Sequence, residues 1–181
     1  LVYNELDPEL KKLVCSNKSN LNYIPYSIPK HKIIDGISFI DVNNRLYRLK
    51  IFGDHNLQNI SGALNICKAL GVESEDFYNA ITSFNGASNR LELVYKSSDT
   101  IIFKDFAHSP SKVKATTEAV HKQFPNRKLI SFFELHTYSS LNPLFLEKYR
   151  DTLKHSDECY IYYSEKNMRI KRLEPIDSEL I

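Results

Sequence analysis

The chain has 181 residues, with an apolar content of 42% and a charged content of 25%, which suits one large or two small globular domains. The 24 basic and 22 acidic residues give a net charge of +2, and no basic run is long enough for a nucleic-acid-binding surface. No apolar stretch approaches the ~18 residues of a membrane span, and no signal peptide opens the chain, so we expect neither nucleic acid nor a membrane as a partner.

The first part of the chain predicts a small antiparallel sheet within residues 1 to about 52. Apolar and polar residues alternate over 33–42, with a break at Gly36. Asn43-Asn44 is a good two-residue hairpin turn, and residues 45–51 return with the period of a strand.

Two helices are predicted to follow this sheet. Helical spacing relates a set of apolar residues, namely Leu57, Ile60, Leu64, Cys67 and Leu70. Gly71 stands where a helix C-cap belongs, and Gly62 allows close packing against a neighbour. The second helix is predicted to begin after a Ser74 cap.

After Asn85-Gly86 the pattern changes to strands that alternate with helices. Strands are predicted over 91–95, 100–106, 128–133 and 159–163. Ser109-Pro110 and Asn142-Pro143 each predict a capped helix start with proline in the first turn, and the second of these helices is predicted to bury Leu153. The alternation predicts an α/β fold with right-handed crossovers and a mostly parallel sheet. We place two domains at residues 1–86 and 87–181.

The cysteines and the chain ends add two expectations. Cys67 and Cys159 lie in apolar patterns, so we expect reduced core residues and a cytoplasmic protein. Leu1 is not an initiator methionine, and Ser178-Glu179 begins a helix signature with no helix after it. We expect a piece of a longer polypeptide.

The segment 53–59 carries the first candidate site. It places two carboxamides, Asn56 and Asn59, on one face at the start of a helix. A carboxamide offers a donor and an acceptor side by side, which matches the N6/N7 edge of adenine. The alternative is that Asn56 caps the helix and Asn59 is only solvated.

Polar residues also follow two of the predicted parallel strands, where ligands bind in such sheets. Asp105 and His108 flank a strand-to-helix turn, and such a pair suits ligand hydroxyls, a phosphate or a carboxylate. The alternative is that Asp105 caps a loop amide and His108 is a surface residue. His136 and Tyr138 lie in the next strand-end loop, and the same two interpretations apply.

Arg90 is a further candidate because it follows the turn 85–89. Its guanidinium suits a nucleotide phosphate, and the alternative is a surface ion pair with Glu92. The sequence contains no Gly-x-x-x-x-Gly-Lys-Ser/Thr phosphate loop and no cluster with metal-ligand spacing. This chain alone should therefore not transfer phosphate efficiently.

Four blocks of the sequence, in this order, resemble the Mur ligase family of ATP-dependent amide-bond-forming enzymes of peptidoglycan synthesis. The blocks are Gly53–Asn59, Ser88–Glu92, Lys104–Pro110 and Phe133–Ser139. The last two look most like the members that act on UDP-N-acetylmuramate, the L-alanine ligases and the murein peptide ligases. The resemblance implies that residues 1–86 end a central ATPase domain and that 87–181 form a truncated Rossmann-like C-terminal domain.

The resemblance also implies roles for individual residues. Adenine would contact Asn56 and Asn59 with His55 beside them, Arg90 would bind the nucleotide phosphates, and Asp105 the ribose. His108 would face the reaction centre, so that His108 and Arg90 are the candidate catalytic residues. Contacts to the two substrates that are joined would come from the strand-end loops, through His108, Ser109, His136, Thr137 and Tyr138.

The implied reaction uses ATP and Mg²⁺, with the metal ligands outside this chain. ATP would phosphorylate the carboxylate of UDP-N-acetylmuramate, and L-alanine or a recycled murein peptide would attack the acyl phosphate to form an amide. Closure of the C-terminal domain would exclude water from this intermediate. Two alternatives stay open. The missing phosphate loop favours a non-catalytic nucleotide- or peptide-binding domain, and folylpolyglutamate synthase shares the fold, although the segment 106–110 argues against it.

Overall fold

The structure is a computed structural model that describes residues 1–17 and 21–173. The helix start predicted at Ser178 lies outside these residues. The Cα positions group the chain into two compact units, one ending at Gly86 and one beginning at Ala87. Both units combine helices with a parallel strand pair, so the predicted α/β class is confirmed. No helix within the described ranges combines the length and apolarity needed to cross a bilayer.

The first unit contains five strands and three helices within the described residues. They are β1 (Val2–Asn4), α1 (Pro8–Ser16), β2 (Ile24–Tyr26), β3 (His31–Ile34), β4 (Ile37–Val42), β5 (Arg45–Arg48), α2 (Asp54–Ala69) and α3 (Ser74–Ile81). β1 and β2 pair in parallel, while β3, β4 and β5 form the predicted antiparallel sheet.

Two tight turns build that antiparallel sheet. Asn43 (φ 50°) and Asn44 (φ 66°) connect β4 to β5, as the sequence predicts. Asp35 (φ 50°) and Gly36 (φ 71°) connect β3 to β4 in the same way. Asparagine, aspartate and glycine tolerate this left-handed backbone better than other residues do. Gly36 therefore belongs to a second hairpin and is more than a break in a strand.

Helix α1 corrects the prediction of only strands and turns before residue 52. Asp7 is its N-cap, and the Asp7 carboxylate accepts hydrogen bonds from the backbone N–H groups of Glu9 (2.9 Å) and Leu10 (3.1 Å). Pro8 occupies the first helical position, where its missing N–H has no intrahelical partner to lose. The unit thus has three helices, one more than the sequence predicts.

The core of the first unit packs β4 and β5 against α2 and α3. Its buried members are Ile40, Tyr47, Leu49, Leu57, Ile60, Phe77 and Tyr78. Gly62 lets α2 approach β2, because a Cβ at this position would lie 3.1 Å from Tyr26 Cζ. The close packing predicted for Gly62 is confirmed.

The second unit contains four strands and three α-helices within the described residues. They are β6 (Glu92–Lys96), β7 (Ile101–Lys104), α4 (Pro110–Gln123), β8 (Ile130–Leu135), α5 (Pro143–Leu146), β9 (Glu158–Tyr163) and α6 (Glu165–Ile170), with a 3₁₀ turn at Glu147–Tyr149. β8 and β9 pair in parallel from Ile130 to Leu135, as expected for a Rossmann-like sheet. β6 pairs with β7 in the antiparallel direction.

The helix predicted from Asn142 is shorter than expected. Asn142 caps it by accepting a hydrogen bond from Leu144 N (3.0 Å), but α5 ends at Leu146. After the turn at Glu147–Tyr149, Arg150 leaves the helical region (φ −49°, ψ 134°), so the helical path ends before Leu153. Cys159 also differs from expectation, because it is exposed on β9 rather than part of the core.

The core of this unit lies beneath the end of β8. Leu135, Leu141, Leu146 and Met168 are buried there, and partly buried Tyr149 and Leu173 pack against them. This packing joins the loop that follows β8 to the end of α6.

Candidate functional site

In the first unit, the segment predicted to contact adenine forms the start of α2. Gly53 (φ 92°) is the N-cap and offers no capping side chain, so the alternative that Asn56 caps the helix is wrong. Asn56 Nδ2 instead donates to the Phe52 carbonyl (2.8 Å), and His55 is half-buried beside it.

The two carboxamides retain hydrogen-bonding capacity for a ligand. Asn56 uses one of its two N–H groups on Phe52, which leaves the other N–H and Oδ1. Asn59 is exposed, and its side chain makes no hydrogen bond within the described part of the chain. These side chains therefore fit a group that presents a donor beside an acceptor, such as an adenine edge.

In the second unit, Asp105 holds a turn together. Asp105 Oδ2 accepts a hydrogen bond from Leu91 N (2.8 Å), and Oδ1 accepts one from Ala107 N (2.6 Å). The Phe106 N–H also donates to the Asn89 carbonyl (2.9 Å). The carboxylate thus caps loop amides, as the alternative proposed, and each oxygen keeps a second lone pair for a ligand.

This turn has left-handed backbone at two non-glycine residues, Asn89 (φ 54°) and Leu91 (φ 45°). Such conformations persist where surrounding contacts impose them. Glu92 supplies one contact by accepting hydrogen bonds from Asn89 N (2.8 Å) and Ser88 Oγ (3.3 Å). These bonds, led by the one from Asn89 N, hold the pKa of Glu92 below its ordinary value.

Arg90 projects from this turn with an exposed side chain. The surface ion pair with Glu92 does not form among the residues that the structure describes, and the Glu92 carboxylate binds the turn itself. The Arg90 guanidinium makes no described contact with the protein, so its donors face solvent. A guanidinium in this state can bind a phosphate without breaking a protein contact.

His108 and His136 meet at the ends of β7 and β8. Their ring centroids are 6.2 Å apart, and the Phe106 ring lies 5.1 Å from His108 and 6.2 Å from His136. The sequence predicted that both strand-end loops carry site residues, and the structure brings these two rings together.

The imidazole tautomers follow from the partners of the rings. His108 Nδ1 donates to the Phe106 carbonyl (2.9 Å), and His136 Nδ1 donates to the Glu134 carbonyl (3.3 Å), because a carbonyl can only accept. In each neutral ring Nε2 is then the atom with a free lone pair. The pair can accept a proton at Nε2 or, once protonated, donate a hydrogen bond from it.

Ser109 is the N-cap residue of α4, but its hydroxyl makes no capping hydrogen bond. Thr137 differs, because its hydroxyl bonds to Ser140 Oγ (2.9 Å) and accepts from Ser140 N (3.0 Å). The Thr137 hydroxyl thus stabilises the loop, whereas the Ser109 hydroxyl makes no capping hydrogen bond.

Tyr138 is 62% exposed and carries a cation on its ring face. Lys171 Nζ lies 4.9 Å from the Tyr138 ring centroid and donates to the His136 carbonyl. Tyr149 OH donates to the His108 carbonyl on the opposite loop, and burial raises the pKa of Tyr149. The sequence did not indicate that Lys171 and Tyr149 lie beside the two loops, because their contacts join residues far apart in the chain.

No group of three or more His, Cys, Asp or Glu side chains in the described ranges can hold a metal ion. We therefore assign no Mg²⁺ ligand to the described residues.

Comparison with known proteins shows which solved structures share this fold. No protein-family model matches the chain. The structure superposes on the UDP-N-acetylmuramate–alanine ligase MurC of Thermotoga maritima with a TM-score of 0.63 and 17% identity, over 97% of this chain and 45% of that one. An FPGS–AMPPCP–folate complex superposes with a TM-score of 0.64 and 15% identity, over 88% of this chain and 41% of that one. The fold is thus that of the Mur ligases and FPGS.

Sequence similarity identifies relatives among curated proteins. The chain is 31% identical over 115 residues to a UDP-N-acetylmuramate–L-alanine ligase of Lactobacillus delbrueckii subsp. bulgaricus, which covers 64% of this chain and 26% of the relative. The predicted resemblance to the Mur ligases is confirmed, and curated sequences similar to this chain include UDP-N-acetylmuramate–L-alanine ligases. The chain spans about a quarter of the length of these relatives.

Proposed function

We propose that this chain is part of an ATP-dependent ligase that joins UDP-N-acetylmuramate to L-alanine or to a recycled murein peptide. In this reaction the terminal phosphoryl group of ATP passes to a carboxylate oxygen of UDP-N-acetylmuramate, giving ADP and an acyl phosphate. The amine then attacks the acyl carbon, and the tetrahedral intermediate releases phosphate and forms the amide. The proton lost by the amine must leave to a base.

In this proposal the residues of the first unit bind the base of the nucleotide. Asn56 and Asn59 offer the donor and acceptor that adenine requires, with His55 beside them. In the second unit, Arg90 binds the nucleotide phosphates and Asp105 binds the ribose with the lone pairs left by Leu91 and Ala107. Catalysis then rests on positioning and on stabilising negative charge.

The histidines serve the second half of the reaction. His108 Nε2 is available to take the proton of the attacking amine, because His108 Nδ1 is held by the Phe106 carbonyl. His136, Ser109, Thr137 and Tyr138 form the surroundings of the amine substrate. The three cysteines are free thiols, which supports a cytoplasmic location.

One observation carries the proposal. A chain that is similar to curated UDP-N-acetylmuramate–L-alanine ligases places the ring centroids of His108 and His136 6.2 Å apart at the ends of its strands. The FPGS-type fold matches equally well, so fold alone does not choose between a muramate and a folate as the acid substrate.

The test is an assay of phosphate release by the whole protein that carries this sequence. ATP, Mg²⁺ and UDP-N-acetylmuramate are supplied with either L-alanine or L-alanyl-γ-D-glutamyl-meso-diaminopimelate, and a parallel reaction supplies a folate with L-glutamate. We expect release only with the muramate. Release only with the folate would favour an FPGS-like ligase, and no release with either acid would favour a binding domain.

The variant Arg90→Ala tests the site. Loss of a charge-assisted hydrogen bond to phosphate should remove at least ~2 kcal/mol of transition-state stabilisation from kcat/KM. The melting temperature should not change, because the Arg90 side chain is exposed and makes no described protein contact. Arg48→Ala, an exposed arginine on β5, is the matched control. Unchanged turnover in Arg90→Ala would contradict the assignment of this residue.

A further inference from the structure

Tyr149 connects the segment after α5 to the loop that contains His108. Its ring is half-buried and packs against Phe133 on β8, with ring centroids 5.4 Å apart, and against Phe145, with ring centroids 6.0 Å apart. From this position its hydroxyl donates to the His108 carbonyl, which lies 41 residues away in the chain. Burial raises the pKa of Tyr149, so the hydroxyl keeps its proton and acts as a donor at neutral pH.

This hydrogen bond belongs to a series of contacts that fix the backbone between β7 and α4. The Ala107 N–H donates to the Asp105 carboxylate (2.6 Å), and the Phe106 carbonyl accepts from His108 Nδ1 (2.9 Å). The carbonyl that Tyr149 holds comes next along the chain and immediately precedes the N-cap of α4. Tyr149 is therefore the contact through which the core of the second unit reaches the backbone of His108 itself.

The orientation of the His108 ring depends on two hydrogen bonds that hold the residue from both sides. The imidazole bonds to the Phe106 carbonyl, and the His108 carbonyl, attached to the same Cα, bonds to Tyr149. A neutral imidazole has one N–H, and the bond to Phe106 keeps it on Nδ1, which leaves the lone pair on Nε2. Without the bond from Tyr149, the His108 ring could turn away from Phe106 and adopt the other tautomer, in which Nε2 cannot accept a proton.

We propose that Tyr149 is a positioning residue for His108, which it keeps oriented with Nε2 free to accept a proton by holding the His108 carbonyl. This inference rests on the proposed ligase function, in which His108 takes the proton of the attacking amine, and it deepens that function. Tyr149 acts through His108 and takes no part in bond formation. The hydroxyl has this role rather than the ring, because a phenylalanine ring could fill the same space.

The first experiment removes the hydroxyl and keeps the ring. Tyr149→Phe is introduced into the whole protein, and amide formation in single turnovers is measured with ATP, Mg²⁺, UDP-N-acetylmuramate and the amine that the unchanged protein uses. The single-turnover rate should fall about 3- to 10-fold, the range that corresponds to one neutral hydrogen bond, while the steady-state KM for ATP and for the amine should not change.

Tyr163→Phe is the matched control for this experiment. Tyr163 is partly buried and packs against the same core as Tyr149. Its hydroxyl has no hydrogen-bond partner among the residues that the structure describes, so removing that hydroxyl should leave the single-turnover rate unchanged.

The second experiment measures the His108 ring itself, which a purely structural role of Tyr149 would not alter. Nitrogen NMR of the whole protein with isotope-labelled histidine distinguishes the Nδ1–H from the Nε2–H tautomer, and the His108 signals are those missing from His108→Gln. The fraction of His108 with the proton on Nδ1 should fall in Tyr149→Phe and stay unchanged in Tyr163→Phe.

A double-mutant cycle tests whether Tyr149 acts through His108. If it does, Tyr149→Phe should lower the single-turnover rate when His108 is present and have no further effect in His108→Gln.

Each result decides the inference. An unchanged rate or an unchanged His108 tautomer in Tyr149→Phe would overturn it and leave the proposed ligase function standing. The same fold-loss with and without His108 would also overturn it, because Tyr149 would then act elsewhere. Failure of the unchanged protein to ligate any amine would overturn the proposed function and this inference with it, because His108 would have no proton transfer to perform.

Discussion

The Asp105 carboxylate should stabilise the turn that carries Arg90, in addition to any contact with a nucleotide. Its two oxygens accept hydrogen bonds from Leu91 N (2.8 Å) and Ala107 N (2.6 Å), and so connect the turn before β6 to the loop after β7. Because Leu91 itself is 8% exposed, the Leu91 amide has little water to replace the carboxylate.

The expected loss of unfolding free energy on substitution of Asp105 follows from these two hydrogen bonds. A hydrogen bond to a charged group contributes about 1.5–3 kcal/mol when well buried, and the half-buried position of Asp105 reduces this. We expect Asp105→Ala to lower the free energy of unfolding of the second unit by about 2–4 kcal/mol. Asp105→Asn retains one acceptor and turns an N–H group toward the other amide, so it should cost about 1–2 kcal/mol.

The assay combines thermal unfolding with amide hydrogen exchange. Exchange should accelerate at Leu91 and Ala107 in both Asp105 variants, more in the alanine than in the asparagine. Arg90→Ala changes the neighbouring exposed side chain and should leave both measurements unchanged. If Asp105→Ala lost activity with unaltered melting and unaltered exchange at Leu91, the structural role argued for this carboxylate would be refuted.

Two further predictions concern the separate units. Leu57→Ala should destabilise the first unit by about 3–5 kcal/mol in chemical denaturation, because a side chain that is 1% exposed leaves a cavity in the core; the exposed Leu70→Ala is the control and should stay within about 0.5 kcal/mol. Hydrogen bonds from Asn89 N and Ser88 Oγ lower the pKa of Glu92 from 4.5, so its stabilisation is complete above that value and is lost as the pH falls through the folded-state pKa. Glu92→Gln should therefore flatten the acid decline of the melting temperature, and an unchanged pH profile would contradict this role.

Local signals in the sequence predicted much of the secondary structure. The Asn43-Asn44 hairpin and the Asn142 cap depend on residues that are adjacent in the chain, so they can be predicted from the sequence without knowledge of the fold. The Asp7-Pro8 cap of α1 carries the same signal as Asn142-Pro143 and was nevertheless missed. The early end of α5 at Leu146 could not be predicted, because no glycine or proline follows Leu146 to mark it.

Some features of the candidate site could likewise be predicted from the sequence, whereas others required the structure. The sequence by itself determined which residue types stand at the ends of β7 and β8, and the blocks that resemble the Mur ligases, because side-chain chemistry and spacing are properties of the chain. Only the tertiary structure decided that Asp105 bonds Leu91 across 14 residues and that Lys171 bonds His136 across 35. The partner of Lys171 depends on how Leu135 and Met168 pack, and packing is set by the whole core rather than by any local run of residues.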